Sequence, residues 1–372
     1  MANHANKSTC ASKKATGLPL RSQTTCTRSC ARTGHRDSRV ERLVPDTFVP
    51  ASEAPWALAA GVAIRDVVMD PATGMSARLF LSTGAVSAGR RLPLVVYFHG
   101  GAFCTGSAFS KVFHRYAASM SARAGALVVS VDYRLAPEHP WVALRWTASR
   151  SDPWLACHAD PRSMFLAGES AGANIAHGMV ARLVTDGGGG IDIGGIVLLH
   201  PFFWGPERLL SETDRAHDGS LFSPKSVDTL WAFLTAGAAG NEEPRINPAA
   251  DQVASLPCRR ALVAVATKDL LRDRGRRYAA WLRHGESCRK VTLLESKGRE
   301  DGFHLYRRSA PAPWRSWTVS PRSSNVWQRR RPPTPKRSNC ARGRARTQTG
   351  RAALGNGPSR QARVDANEGS KL

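Results

Sequence analysis

No apolar run in the 372 residues approaches the ~20 that a membrane-crossing helix needs. No secretory apolar core follows the first basic residues either. These absences predict a chain without a membrane span. Eight cysteines are present, but no C-x-x-C pair and no zinc-type spacing occurs among them. Cys10, Cys26, Cys30 and Cys340 lie toward the ends. Cys104, Cys157, Cys258 and Cys288 lie in the middle, where reduced thiols are expected. No internal repeat is visible, and the first 36 residues lack Asp and Glu altogether.

The formal net charge of +24 suggests nucleic acid or an anionic surface as a partner, until its distribution is read. Residues 1–42 hold 9 basic and 2 acidic side chains, and residues 306–372 hold 16 and 2. The remaining 28 basic and 25 acidic residues nearly cancel. The middle therefore has the balance of an ordinary globular domain. The ends, rich in Ser, Arg, Pro and Gly, bury too little apolar surface to offset chain entropy. This predicts a disordered basic extension at 1–38, a domain at 39–306 and an Arg/Pro-rich tail at 307–372. Gln328-Arg329-Arg330-Arg331 could touch RNA, but a solvated tail is the simpler reading and no nucleic-acid partner is expected.

The middle alternates strand-like and helix-like segments. Ala63–Met69 and Ala77–Leu81 flank the turn signal Asp70-Pro71-Ala72-Thr73-Gly74, as an antiparallel pair does. Leu94–Phe98, Ala126–Val131, Ser163–Ala167, Ile196–Leu199, Ala261–Ala266 and Lys290–Leu294 read as buried strands. Helical segments are expected at Phe109–Ala124, Ala171–Val184, Ser226–Leu234 and Leu270–His284, and at Trp141–Ala156 with an interruption at Asp152-Pro153; Gly187–Gly190 reads as a flexible loop. Repeated β-then-α order predicts an α/β fold: a mostly parallel central sheet flanked by helices.

Gly168-Glu169-Ser170-Ala171-Gly172 follows one strand and opens a helix. In that context G-x-S-x-G is a nucleophile elbow, whose sharp turn lifts the serine hydroxyl clear of the sheet. A serine hydroxyl needs an adjacent base, and the base needs an acid that fixes its tautomer. Asp269 follows the strand Ala261–Ala266, and His304 follows the last strand, giving the order Ser, acid, His. Asp273 competes for the acid role but lies one helical turn further on, where a surface or capping role is expected. His177 and His200 read as packed or solvated histidines.

His99-Gly100-Gly101-Ala102-Phe103 follows the buried strand Leu94–Phe98. An oxyanion needs at least two preorganised N–H donors. Gly100 and Gly101 let backbone approach a substrate, and with the N–H of Ala171 they would form a three-donor hole.

With these residues in place, the chain resembles the plant carboxylesterase family of the hormone-sensitive-lipase-like α/β-hydrolases. The resemblance rests on His99–Phe103, Ser130–Pro140, Gly168–His177, His200–Gly205, Pro244–Pro248, Lys268–Gly275 and Phe303–Tyr306, with Arg39–Leu43 and Asp66–Ala77 upstream. It covers roughly residues 39–306. It implies an α/β-hydrolase fold and a serine esterase for small carboxylic esters, with Ser170, Asp269 and His304 as catalytic residues and no cofactor or metal; the absence of a secretory core makes a cytoplasmic location the expectation. The family includes tuliposide-converting enzymes. Related gibberellin receptors keep the fold but lack the catalytic histidine, so His304 favours a hydrolase over a ligand-binding homologue. The acid-free N-terminus leaves organelle targeting as the alternative location.

Three departures from the family stand out. Several residues are missing after Glu138-His139-Pro140; the family's short N-terminal segment is replaced by basic sequence; and after Tyr306 its final helix gives way to Arg307-Arg308-Ser309-Ala310-Pro311. Replacement at both ends reads as a shifted coding frame, and an impaired or receptor-like homologue is the alternative function.

Overall fold

The computed structural model describes residues 42, 46–53, 61–87, 89, 91–139, 152–185, 193–214, 222–235 and 237–306. The two basic ends lie outside them, as do the Gly187–Gly190 loop and most of the helix expected over Trp141–Ala156.

Eight strands form one sheet: β1 (Val62–Asp70), β2 (Met75–Ser82), β3 (Leu92–Phe98), β4 (Leu127–Asp132), β5 (Ala159–Glu169), β6 (Ile193–Leu199), β7 (Arg260–Ala266) and β8 (Lys290–Ser296). Their spatial order is β1-β2-β4-β3-β5-β6-β7-β8. The β1–β2 and β2–β4 pairs are antiparallel, and every other pair is parallel. The helices are α1 (Thr83–Ser87), α2 (Lys111–Ala124), α3 (Pro153–His158), α4 (Ala171–Thr185), α5 (Pro224–Leu234), α6 (Ala250–Ala254), α7 (Arg272–His284) and α8 (Phe303–Tyr306).

The central strands are apolar on both faces because helices cover both faces. Successive side chains alternate. Leu94, Val96 and Phe98 of β3 join one cluster with Leu166 and Val263, while Val95 and Tyr97 join a second with Tyr116 and Met120 of α2. β5 starts earlier than the apolar pattern Ser163–Ala167 indicates. Its first residues, Ala159 and Asp160, pair with Leu92 and Pro93 before the register shifts and Leu94 meets Met164. The irregularity accommodates Asp160-Pro161-Arg162, residues that fit poorly in a regular central strand.

Helix ends follow local chemistry. Asp152 caps α3 by accepting from the Trp154 and Leu155 N–H groups, and Pro153 stands in the first turn. Gly125 ends α2 in the left-handed conformation at φ 59°.

One buried ion pair ties the segment after β6 to α7. Arg274 Nε donates to Glu212 Oε1 at 2.6 Å, and Arg274 Nη2 donates to Glu212 Oε2 at 3.1 Å. Both side chains are essentially inaccessible. Breaking such a pair strands the other charge. Arg274→Met is therefore expected to cost about 3–5 kcal/mol in urea denaturation, with much of it recovered in Arg274→Met/Glu212→Leu. Equal losses in the single and double variants would show that the charge pairing is unimportant.

Candidate active site

β5 delivers Ser170 to the rim of the sheet. Its φ of 51° is in the left-handed region, which a non-glycine residue adopts only where surrounding structure enforces it. That structure is visible. The Ser170 N–H donates to Leu199 O at 2.8 Å, and Ser170 O accepts from the N–H groups of Ala173 and Phe202. The first turn of α4 sits so close to β3 that a Cβ on Gly172 would lie 2.1 Å from Phe98 O. Gly168, on the other side of the serine, faces Gly172 O equally closely.

The loop after β3 is anchored by His99. Its ring stacks on Tyr133 with centroids 4.2 Å apart, its Nδ1 lies 2.7 Å from Gly100 O, and the Tyr133 hydroxyl donates to His99 O at 2.9 Å. Gly101 adopts φ 116°, which a side chain would strain, and its carbonyl accepts from Cys104 and Thr105 N–H. Ala171 is the first residue of α4, so its N–H has no acceptor within that helix. The Gly100 N–H bonds the Glu169 carboxyl, which packs directly against the Gly100 Cα.

Asp269 lies in the turn between β7 and α7 and is 2% exposed. Its Oδ1 accepts from Leu271 N–H at 2.9 Å, and its Oδ2 has no partner among the described residues. Burial, then the nearby Asp301 carboxylate, pushes its pKa up to about 7. Asp273, the competing acid, accepts from Ser211 N–H at 2.8 Å and pairs with Arg272 and Arg276. Burial opposes its ionisation, but these partners prevail and hold it down at about 2. Its carboxylate thus ties α7 to the Leu210–Glu212 turn rather than capping the helix.

His304 lies in α8, buried against Tyr116 and His200 with ring centroids 5.1 Å from each. Neither of its ring nitrogens has a hydrogen-bond partner among the described residues. Burial, then the His200 charge, holds its pKa well below the usual imidazole range. The structure thus brings Ser170, the His99–Gly101 loop and Asp269 to the same end of the sheet, but draws no hydrogen bond from His304 to Ser170 or Asp269.

Three residues that sequence reasoning did not select complete the site. His200 directly follows β6, Asp301 lies in the loop after β8, and Glu169 is the variable residue of the elbow. The His200 Nδ1 lies 3.0 Å from Asp301 Oδ1 and 3.1 Å from the Gly302 nitrogen; in the neutral ring it accepts from the Gly302 N–H, and in the protonated ring it donates to Asp301. Burial lowers the His200 pKa, but Asp301 outweighs it and the net shift is upward. Burial, then Asp301 and Asp269, raises the Glu169 pKa well above the carboxylate range. Glu169, His200 and Asp301 each offer a ligand atom within 4.8 Å of the others, the one such metal-capable group among the described residues. The Gly302 N–H already occupies the Nδ1 lone pair, which weakens that group as a ligand set. The signal for these residues was available: each stands at or beyond the C-terminal end of a parallel strand, where open α/β sheets gather their site residues.

An elbow serine on a mostly parallel sheet, with a glycine loop after the preceding central strand, defines an α/β hydrolase. The chain belongs to this family, and within it to the plant carboxylesterases: residues 95–305 match the family model for the alpha/beta hydrolase fold. It is 38% identical over 294 residues to a 2-hydroxyisoflavanone dehydratase of Glycyrrhiza echinata, covering 73% of this chain and 87% of that protein. It is 36% identical over 284 residues to a probable carboxylesterase 2 of Arabidopsis thaliana, with the same coverage. An amyloplastic tuliposide A-converting enzyme b1 of Tulipa gesneriana is 37% identical over 287 residues, covering 73% and 72%. Among solved structures, the thermostable carboxylesterase EstE1 from a metagenomic library matches with a TM-score of 0.55 and 25% identity over 77% of this chain and 89% of that one. No helix among the described residues is long and apolar enough to cross a membrane.

The Asp269 shift has a sign that can be checked. Between its ordinary value near 4 and the folded value of about 7, the folded chain holds a proton that the unfolded chain has released. That contribution favours folding at acid pH and is lost as pH rises through 7. His200, raised, acts in the same direction; His304, lowered, acts oppositely below about 6.5. Asp269→Asn removes the first contribution and, because the Asp269 charge also raises the His200 and Glu169 pKa values, part of theirs, which act in the same direction. From pH 5 to pH 8 the variant should gain about 2 kcal/mol relative to wild type in urea denaturation. Parallel pH profiles would show that Asp269 does not carry the shifted proton.

Proposed function

We propose that this chain is a serine esterase for small carboxylic esters. The observation that carries the reading is the enforced left-handed Ser170 between β5 and α4, beside a glycine loop. In the proposed mechanism His304 takes the Ser170 hydroxyl proton as Oγ attacks the ester carbonyl. Its ring nitrogens carry no competing hydrogen bond, and its lowered pKa keeps it neutral at pH 7, as a base must be. To act, the ring turns from its contacts with Tyr116 and His200 toward the serine. The Gly101 and Ala171 N–H groups hold the oxyanion, and the Gly100 N–H joins them when the Glu169 carboxyl releases it. Asp269, with one carboxyl oxygen uncommitted, receives the imidazolium that forms. The acyl-enzyme on Ser170 is then hydrolysed by water activated on the same base.

A second reading has a specific observation behind it. The acid, base and nucleophile are not joined by hydrogen bonds, as they would be in an assembled relay, so the chain could instead bind an ester-like ligand without turnover. A fluorophosphonate probe separates the two: a competent serine labels and a dead one does not.

Ser170→Ala should lower hydrolysis of p-nitrophenyl acetate or butyrate by about 10³-fold or more. Wild-type kcat/KM should rise with pH through about 7, as Asp269 ionises. Equal rates in wild type and Ser170→Ala would rule out the mechanism.

A further inference from the structure

At the opposite end of the sheet, two cysteines face each other across adjacent strand starts. Arg260 of β7 pairs in register with Lys290 of β8, and Cys258 and Cys288 each stand two residues before these partners. Their sulfurs are 3.8 Å apart, and both residues are buried, at 1% and 6% exposure. Cys258 is held from its other side by a bridge to Ile193 of β6. In the present structure both thiols are free. Bonding needs the sulfurs to close to about 2 Å, which a side-chain rotation can supply where two strand starts already lie side by side.

We propose that Cys258 and Cys288 form an oxidant-driven intramolecular disulfide that ties the edge strand β8 to β7. The tie has a structural purpose. Among the described residues β8 is the outermost strand of the sheet, paired on one side only, and its residues are half-buried or exposed. The bond closes a loop between positions 30 apart, which contains β7, the Asp269 turn and α7. Constraining such a loop in the unfolded chain stabilises the fold. Both cysteines precede strands whose far ends carry the candidate site, about 20 Å away at the rise of a β-strand, so neither sulfur lies among the candidate site residues.

The chemistry assigns the two sulfurs different roles. The Cys258 S–H donates to Cys288, which lowers the Cys288 pKa although burial opposes the shift; the same interaction, with burial, raises Cys258. Cys288, the more accessible of the two, is the sulfur that meets an oxidant first, and it reacts as its thiolate. With hydrogen peroxide as oxidant, the Cys288 sulfur attacks one peroxide oxygen and the O–O bond breaks. The departing hydroxide takes a proton to become water, leaving a sulfenic acid. The Cys258 sulfur then attacks the Cys288 sulfur, the S–O bond breaks, and the hydroxyl leaves as water with the Cys258 proton. Two thiols lose two electrons and two protons, and one peroxide becomes two waters.

The test uses the full chain, treated in its native state with a small excess of hydrogen peroxide, alkylated, and digested with trypsin without reductant. The expected result is a linked pair of tryptic peptides, Ile246–Arg259 and His284–Arg289, lighter by two hydrogens than their sum. Tm should rise by several degrees and return on reduction. Cys258→Ala and Cys288→Ala should each abolish both the linked peptide and the oxidation-dependent rise, whatever their own Tm. Two results would overturn the proposal: both peptides recovered unlinked from oxidised, folded protein, or a link that forms only after unfolding in urea. Neither depends on esterase activity, so failure here is distinguishable from failure of the catalytic reading.

Discussion

Much of the site rests on one close approach, that of the first turn of α4 to the end of β3. Gly172 can meet the Phe98 carbonyl only because it has no side chain. That contact pins the start of the helix, and the short path from β5 into the helix forces Ser170 into the left-handed region. The same contact fixes the neighbours. β3 runs directly into His99, Gly100 and Gly101, so a helix seated on the end of β3 must present its unpaired N-terminal N–H groups beside that loop. The candidate nucleophile and the candidate oxyanion donors are therefore one geometric consequence rather than two independent placements. Stacking of His99 on Tyr133 of the segment after β4 stiffens the loop from the far side.

Electrostatics complicate this scaffold. Glu169, Asp269 and Asp301 converge around His200 in a largely buried region. Burial disfavours the charged forms of Glu169 and Asp269, and repulsion from the Asp301 carboxylate adds to it. The outcome is shared protonation: Glu169 and Asp269 are both pushed toward their neutral forms, and His200 is drawn toward its charged form beside Asp301. The protons of such a cluster belong to the group as a whole, and each residue's charge depends on the others. Burial first, and Asp301 after it, set how acidic Asp269 is.

The fold was legible in the sequence wherever strands are buried on both faces. Leu94–Phe98, Ala261–Ala266 and the antiparallel pair around Gly74 stand close to where their apolar runs place them. The early start of β5 was not legible, because Asp160-Pro161-Arg162 looks like a loop until β3 pairs on either side of it. The elbow and the glycine loop could be read because their chemistry demands small residues at fixed positions. The charged cluster was legible only as single residues at strand ends, because its members come from four strand ends far apart in sequence and only the parallel order of β5, β6, β7 and β8 brings them together. His200 looked like a packing histidine for that reason. The position of His304 in chain order suited a catalytic base, but order does not determine which way a side chain turns from a four-residue helix.

The parallel sheet also separates chemistry from cohesion. All strands from β3 to β8 point the same way apart from the antiparallel β1–β2 margin, so every loop that can reach Ser170 leaves from one end. That end concentrates the unfavourable features: a strained serine, unpartnered polar atoms on Asp269 and His304, and repelling carboxylates. The opposing stabilisation must come from elsewhere, from the buried central strands, the Arg274–Glu212 pair and the paired starts of β7 and β8. β8 is where this division is tightest. It is the edge strand, least covered along its length, yet the loop that leaves it carries Asp301 and His304. Fraying of β8 would displace both residues at once. The geometry of the site therefore depends on whatever holds the outer strand to β7.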